Sequence, residues 1–241
     1  MQKPTHDGMP RKVIVVFFLI DTSGSMAGTR IGAVNSAIEE TLVIIRDMND
    51  TNPDAVVEVA LMTFDSGAEW LTQNGPVKPE NYFFQHLSVG GLTAMGEAFR
   101  LLEEKLHKSS GWMNNASGSG APIIFLMSDG EPNDQDWESK LTALKNNKWF
   151  GASGKVALAV GDDADTSVLE RFTGTPEAVV KYSDGDSPSK LAAMIKFIAV
   201  RSTQIASGDF GSTPATMQDV ITDTLNDAKD DDNWDLSGDG W

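Results

Sequence analysis

The chain alternates short apolar runs with amphipathic stretches. Val13–Ile20 (VIVVFFLI) is β-branched and aromatic with no polar alternation, the pattern of a central parallel strand covered on both faces. The turn DTSGSMAG follows at once, and from Thr29 to about Met48 the apolar residues Ile31, Val34, Ile38, Leu42 and Ile45 recur at helical spacing. Val56–Phe64 predicts a second strand and Ala68–Thr72 a short edge strand, broken by Asn74–Gly75–Pro76. The loop Ser88–Leu92 then delivers Thr93 to the start of a helix, with Ala94, Ala98, Leu101, Leu102 and Leu106 as its expected buried stripe. Pro122–Met127 (PIIFLM) is another wholly apolar strand and ends in Ser128–Asp129–Gly130. Beyond it the pattern predicts a helix through Trp137, Leu141 and Leu144, a strand Val156–Val160, a helix around Val168–Phe172, a strand Ala178–Tyr182 and a helix from about Ser187 to Val200.

Strands alternating with helices at this spacing specify the α/β class, a doubly wound, mostly parallel six-stranded sheet with helices on both faces. In such sheets ligands bind beyond the carboxyl ends of the strands, where strand order reverses. After Arg201 large apolar residues become sparse and Ser, Thr, Gly and Asp dominate, so the chain divides into an N-terminal extension (1–10), one domain (11–200) and an acidic Gly/Ser/Asp-rich tail (201–241) expected to be flexible. Within that tail Val220–Leu225 has at most the pattern of a short amphipathic helix.

Composition narrows the chemistry. With 19 basic against 35 acidic residues and a net charge of −16, the surface repels nucleic-acid phosphates and anionic membrane faces, so neither is an expected partner. The absence of cysteine excludes disulfides, thiolate metal sites and cysteine nucleophiles, and fits a cytoplasmic setting. The Val13–Ile20 run is too short to span a bilayer.

The strongest local signal is Asp21–Thr22–Ser23–Gly24–Ser25, leaving the first buried strand for a helix. A carboxylate and two hydroxyls on one tight turn give a hard cation three oxygen donors, a set that favours Mg²⁺ or Mn²⁺ over zinc. The plainer reading is that Asp21 or Ser23 merely caps the following helix. Two further oxygen donors weigh against it: Thr93, after a Gly-Gly loop at a helix start, and Asp129, closing the PIIFLM strand. Together these residues resemble the metal-ion-dependent adhesion site of von Willebrand factor A domains, whose pattern is Asp-x-Ser-x-Ser, then a Thr, then an Asp. Asp21, Ser23, Ser25, Thr93 and Asp129 match it in order and spacing, and the resemblance covers about residues 11 to 200.

The resemblance implies a Rossmann-like fold, a metal held directly by Ser23, Ser25 and Thr93 with Asp21 and Asp129 near it, and a coordination position left for an acidic group of a protein partner. It therefore implies a binding module without catalytic residues. The wording LIDTSGSM and GGLTAMGEAF is most similar to the bacterial tellurium-resistance-associated TerY-like branch, which implies a stress-response role beside kinase or phosphatase components.

The alternative is a Mg²⁺-dependent phosphatase or phosphoryl-transfer enzyme on a similar fold. Such enzymes need a second Asp two residues after the nucleophilic carboxylate, and Ser23 stands there. His6, His86 and His107 adjoin no nucleophile motif, and no phosphate-binding Gly-x4-Gly-Lys loop exists. Asp65, after the second strand, reads as a turn residue more readily than as a neighbour of the site, and Trp112, Trp137 and Trp149 fit a binding face and core or rim packing equally well. In the tail, Asp231, Asn233 and Asp235 are spaced like the start of a calcium loop, but Leu236 occupies the position that needs Gly; Trp234 and Trp241 are the candidate docking anchors there.

Overall fold

The computed structural model describes residues 11–53, 55–107, 109–113, 119–187, 189–190, 192–193 and 216–230. Their centre is β1 (Lys12–Asp21), which pairs in parallel with β2 (Ala55–Phe64) on one side and β4 (Ile123–Ser128) on the other. The sheet continues through β5 (Gly154–Val160) to β6 (Val179–Tyr182), both parallel, while β3 (Ala68–Trp70) closes the opposite edge antiparallel to β2. The order β3-β2-β1-β4-β5-β6 is the six-stranded doubly wound sheet expected from the sequence. Strand order reverses at β1, which puts the ligand-binding crevice of this class between the carboxyl ends of β1 and β4.

Because β1 is buried on both faces, its alternate residues feed two cores. Ile14, Val16, Phe18 and Ile20 pack with α1 (Thr29–Thr51) and with a C-terminal helix, α6 (Met217–Asp230). Val15, Phe17 and Leu19 pack on the other side with α2 (Met95–Lys105), α3 (Trp137–Lys145), α4 (Lys148–Ala152) and α5 (Thr166–Thr173). Trp112, Trp137 and Trp149 are partly buried against this second core, which favours packing over a binding face for them.

Three details differ from the sequence pattern. The buried stripe of α2 is Met95, Ala98, Phe99 and Leu102, with Leu106 just beyond, whereas Ala94 and Leu101 are only half-buried; the helix starts at Met95, and its core-facing arc is centred on the larger side chains. Helix α4 has no counterpart in the pattern because five residues are too few to show a helical period. Its signal is the cap: Asn147 Oδ1 accepts from the backbone N–H of Trp149 at 2.9 Å.

The third difference lies in the stretch expected to be a flexible tail. There α6 buries Met217, Ile221 and Leu225, and Gln218 is tied to the sheet through both ends of its amide. Its Oε1 accepts from Lys155 N–H at 2.9 Å and its Nε2 donates to Lys155 C=O at 3.1 Å. Pairing of β5 with β6 begins only at Ala157, so Gln218 supplies the bonds that a longer β6 would have made. The extension 1–10, most of the expected helix after Ser187, and the Asp231, Asn233, Trp234, Asp235, Leu236 and Trp241 positions lie outside the described residues.

Candidate functional site

Asp21 is the last residue of β1 and is fully buried. Its Oδ1 accepts from the backbone N–H of Ser23 at 2.8 Å, which folds the chain into a tight turn, and its Oδ2 accepts from Ser128 Oγ at 2.6 Å. The in-register pair Ile20↔Met127 places Asp21 and Ser128 side by side at the strand ends. Burial pushes the Asp21 carboxyl up to about 6, against the hydrogen bonds from Ser128 and Ser23, and the nearby charge of Asp129 adds to the rise. Ser23 Oγ and Ser25 Oγ stand 3.0 Å apart on the single 3₁₀ turn that follows.

These side chains do not cap the helix. The residue before α1 is Gly28, no side chain among the described residues caps the first turn of α1, and Ser23 makes no cap bond to its own 3₁₀ turn. The capping reading of Asp21 and Ser23 is thereby removed. Thr93 likewise does not cap α2, whose preceding residue is Ala94.

The loop carrying Thr93 is pinned to the Asp21 turn by backbone bonds, Gly24 N–H to Gly91 C=O at 3.3 Å and Gly90 N–H to Thr22 C=O at 2.9 Å. Gly91 has φ +79°, and a Cβ there would lie 2.5 Å from Ser66 Oγ, so only glycine fits the approach. Ser66 Oγ in turn accepts from Leu92 N–H at 3.2 Å. Asp65 forms the turn expected of it, Gly67 N–H to its Oδ1 at 3.3 Å, and its carbonyl receives Ala94 N–H at 2.6 Å.

Asp129 follows β4 and is 6% exposed; its carbonyl accepts from Asp165 N–H at 2.8 Å, yet its Oδ1 is buried with no hydrogen-bond partner. Thr93, 4% exposed, is joined to the loop after Asp129 through Asn133, whose Oδ1 accepts from Thr93 N–H and whose N–H donates to Thr93 C=O, both at 2.9 Å. All five sequence-predicted residues therefore sit at the carboxyl ends of β1 and β4 or on the segments that meet there. Asp21, Ser23 and Ser25 are linked through Asp21's bond to Ser23 and the Ser23–Ser25 contact, Asp129 couples electrostatically to Asp21, and Thr93 is tied to the loop after Asp129 through Asn133 and to the Asp21 turn through the bonds of Gly90 and Gly91. No group of three or more His, Asp or Glu side chains that could hold a metal occurs among the described residues, so carboxylates and imidazoles alone cannot complete a cation's coordination here.

Ser128, Asn133, Ser66 and Arg30 contribute to this arrangement and were not singled out in the sequence. Ser128 had a legible signal, a hydroxyl ending an otherwise apolar strand. Arg30 had another, a cation in the first turn of a helix, where the macrodipole disfavours it. His86 and His107 instead pair with Glu39 and Glu103 at 3.1 and 3.2 Å.

Beside the crevice lies a surface cavity of about 440 Å³ that includes Thr22, Asp65, Glu69, Tyr82 and Phe83. Phe83 is 84% exposed and Leu92 63%, two of the three large apolar side chains most open to water among the described residues.

Residues 16–131 match the von Willebrand factor type A domain family. The matched span begins in β1 and ends just after Asp129, so it contains all five residues described above. Over 191 residues the chain is 26% identical to the human inter-alpha-trypsin inhibitor heavy chain H4, an alignment covering 76% of this chain and 19% of that protein. Solved structures share the von Willebrand A fold. The von Willebrand factor type A protein of Catenulispora acidiphila aligns with TM-score 0.56 at 18% identity, covering 80% of this chain and 43% of that one. The pilus adhesin SpaC of Lactobacillus rhamnosus GG, in its open conformation, aligns with TM-score 0.61 at 17% identity over 82% and 31% of the two chains. Proximal thread matrix protein 1 of the mussel byssus, a structure with a zinc-occupied metal-ion-dependent adhesion site, aligns with TM-score 0.51 at 16% identity over 80% and 48%. The chain thus spans less than half the length of each of these relatives. No helix among the described residues is long and apolar enough to cross a membrane.

Proposed function

We propose that the chain carries a von Willebrand factor A domain, that Asp21, Ser23, Ser25, Thr93 and Asp129 hold one divalent cation, Mg²⁺ or Mn²⁺, and that the chain uses it to bind a carboxylate of a protein partner without chemical turnover. The observation that carries this reading is the buried Asp129 Oδ1 without a hydrogen-bond partner, beside a second buried carboxylate and hydroxyls that cap no helix. An unsatisfied buried carboxylate oxygen is costly, and a cation is the partner that Asp129 Oδ1 lacks. The donors are all oxygen, which fits Mg²⁺ or Mn²⁺; the mussel protein's zinc supports a divalent ion at the equivalent motif. When bound, the cation supplies an electrophilic position whose exchangeable water a partner carboxylate can replace. Exposed Phe83 and Leu92 beside the crevice offer apolar contact area suited to a protein partner.

The phosphoryl-transfer alternative finds little support. Ser23 occupies the place of the second aspartate, and the described histidines are committed to exposed pairs with Glu39 and Glu103. Within the family, the segments LIDTSGSM and GGLTAMGEAF favour a cytoplasmic tellurium-resistance-like system with kinase or phosphatase components as partners.

Calorimetric titration of the chelator-stripped protein with Mg²⁺ and Mn²⁺ tests the site. One-site binding that is lost in a Thr93→Ala, Asp129→Ala double variant is the expected result, and absence of binding in the unsubstituted protein overturns it. Asp21 is a poorer choice for this test because its bonds to Ser23 and Ser128 also hold the loop together.

A further inference from the structure

Arg30 stands in the first turn of α1, yet its side chain is only 15% exposed and faces acids from three other loops. Its Nε donates to Asp184 Oδ1 at 3.1 Å, and its Nη2 pairs with Asp163 and with Asp184 Oδ2. Its Nη1 points the other way, 3.5 Å from Ser25 C=O and 4.0 Å from Asp129 Oδ2. The position is built: Gly161 has φ +104°, and a Cβ there would lie 2.4 Å from Arg30 Cζ, so the guanidinium occupies space that any other residue at 161 would fill.

The three acidic partners are not equivalent. Asp163 and Asp184 have side chains 78% and 39% exposed, so water already solvates them and screens their pairing with Arg30. The Asp129 side chain is 9% exposed, so its coupling to Arg30 is screened far less. At 4.0 Å that contact is electrostatic and not a hydrogen bond, and it leaves Asp129 Oδ1 unpartnered.

We propose that Arg30 is a resident counter-charge of the Asp21–Asp129 site: it holds down the affinity for a divalent cation in the free protein and, once a cation is bound, adds positive potential that selects an anionic partner group. The inference rests on the cation reading above. Without Arg30 the two buried carboxylates attract a cation unopposed, but the filled site then has less field with which to draw a carboxylate. Arg30 is thus a positioning and specificity residue, acting on the bound ion through Asp129 and the field, and not a ligand itself.

The test is Mn²⁺ titration of the full chain, comparing the unsubstituted protein with Arg30→Gln, Arg30→Met and Arg30→Lys at low and high ionic strength, with thermal melts in chelator as the folding control. The neutral variants are expected to bind Mn²⁺ at least about threefold more tightly at low salt, because one positive charge near the ion is gone. That gain should shrink at high salt, and Arg30→Lys should stay within about twofold of the unsubstituted protein, since it keeps the charge. A purely structural role for Arg30 moves affinity the other way or not at all, so neutral variants that melt normally and bind Mn²⁺ equally or more weakly overturn the inference. Arg30→Met retains much of the apolar stem, so a folding defect confined to Arg30→Gln leaves the comparison intact. Loss of folding in both neutral variants would show that Arg30 is needed by the fold itself, and likewise overturns the proposal. No Mn²⁺ binding by the unsubstituted protein is a separate result: it removes the cation site, and the counter-charge role with it.

Discussion

Ser128 Oγ donates to Asp21 Oδ2 at 2.6 Å, joining the ends of two adjacent parallel strands inside the fully buried floor of the crevice. The same hydroxyl oxygen accepts from Gly130 N–H at 2.9 Å, so one side chain orients the carboxylate of the first loop and sets the course of the second.

Ser128→Ala removes both bonds without altering the strand. It leaves Asp21 Oδ2 and Gly130 N–H buried and unpaired, a change that costs about 1–3 kcal/mol. Urea unfolding in chelator should show the loss as a lower midpoint with an unchanged slope; an unaltered midpoint means that water or another group takes over the role of Ser128.

Gly91→Ala tests the seam between the Thr93 loop and the Asp21 turn. A side chain at φ +79° costs about 1–2 kcal/mol by itself, and its Cβ drives against Ser66. Displacing Gly91 C=O from Gly24 N–H moves Thr93 away from Ser23 and Ser25. Mn²⁺ affinity should fall by about tenfold, some 1.4 kcal/mol, with a circular-dichroism spectrum like that of the unsubstituted protein. Full affinity in this variant argues that Thr93 is not a ligand.

Ile221 is 1% exposed on α6, well beyond the strand–helix alternation. Ile221→Ala should destabilise the whole domain by about 2–5 kcal/mol in a single cooperative transition. A separate early transition, or no change in melting temperature, would mean that α6 is an accessory and not part of the core.

Lys155 supplies a pH dependence independent of the candidate cation site. Burial pushes its ammonium down from 10.5 to about 8, while its Nζ keeps the carbonyls of Phe150 and Ser153 as acceptors at 3.2 and 2.7 Å. Between these two values the unfolded chain holds a proton that the folded chain has released, so stability rises with pH across this window. Below about 8 both states are protonated and the penalty for burying the charge is fully present. Unfolding free energies measured from pH 7 to 10 should contain this rising contribution, and Lys155→Met should lack it; identical profiles for the two proteins would place the Lys155 titration near its ordinary value.

Much of the fold was legible because the buried strands are unbroken apolar runs and the long helix has a clear period. Val13–Ile20 lies in β1, the Ile123–Met127 part of the PIIFLM run lies in β4, and Ile31, Val34, Ile38, Leu42 and Ile45 line the core face of α1. Helix α4 was not legible, since its five residues are specified by an Asn147 cap and by packing of Phe150, not by periodicity. Helix α6 was legible only in outline: Val220–Leu225 has amphipathic spacing, but what makes it structural is Gln218 completing the backbone bonds of Lys155, 63 residues away.

The sequence by itself determined that the Asp21 and Asp129 carboxylates stand at the crevice. A carboxylate directly after a buried strand must emerge at that strand's carboxyl end, and parallel strands put all such ends on one edge of the sheet. Tertiary structure decided how those groups interact. It put β4 next to β1, so that Ser128 reaches Asp21, and it brought Arg30 between Asp129, Asp163 and Asp184. Those relations depend on strand order and on space left by Gly91 and Gly161, quantities that arise only when distant segments pack and that no local pattern encodes.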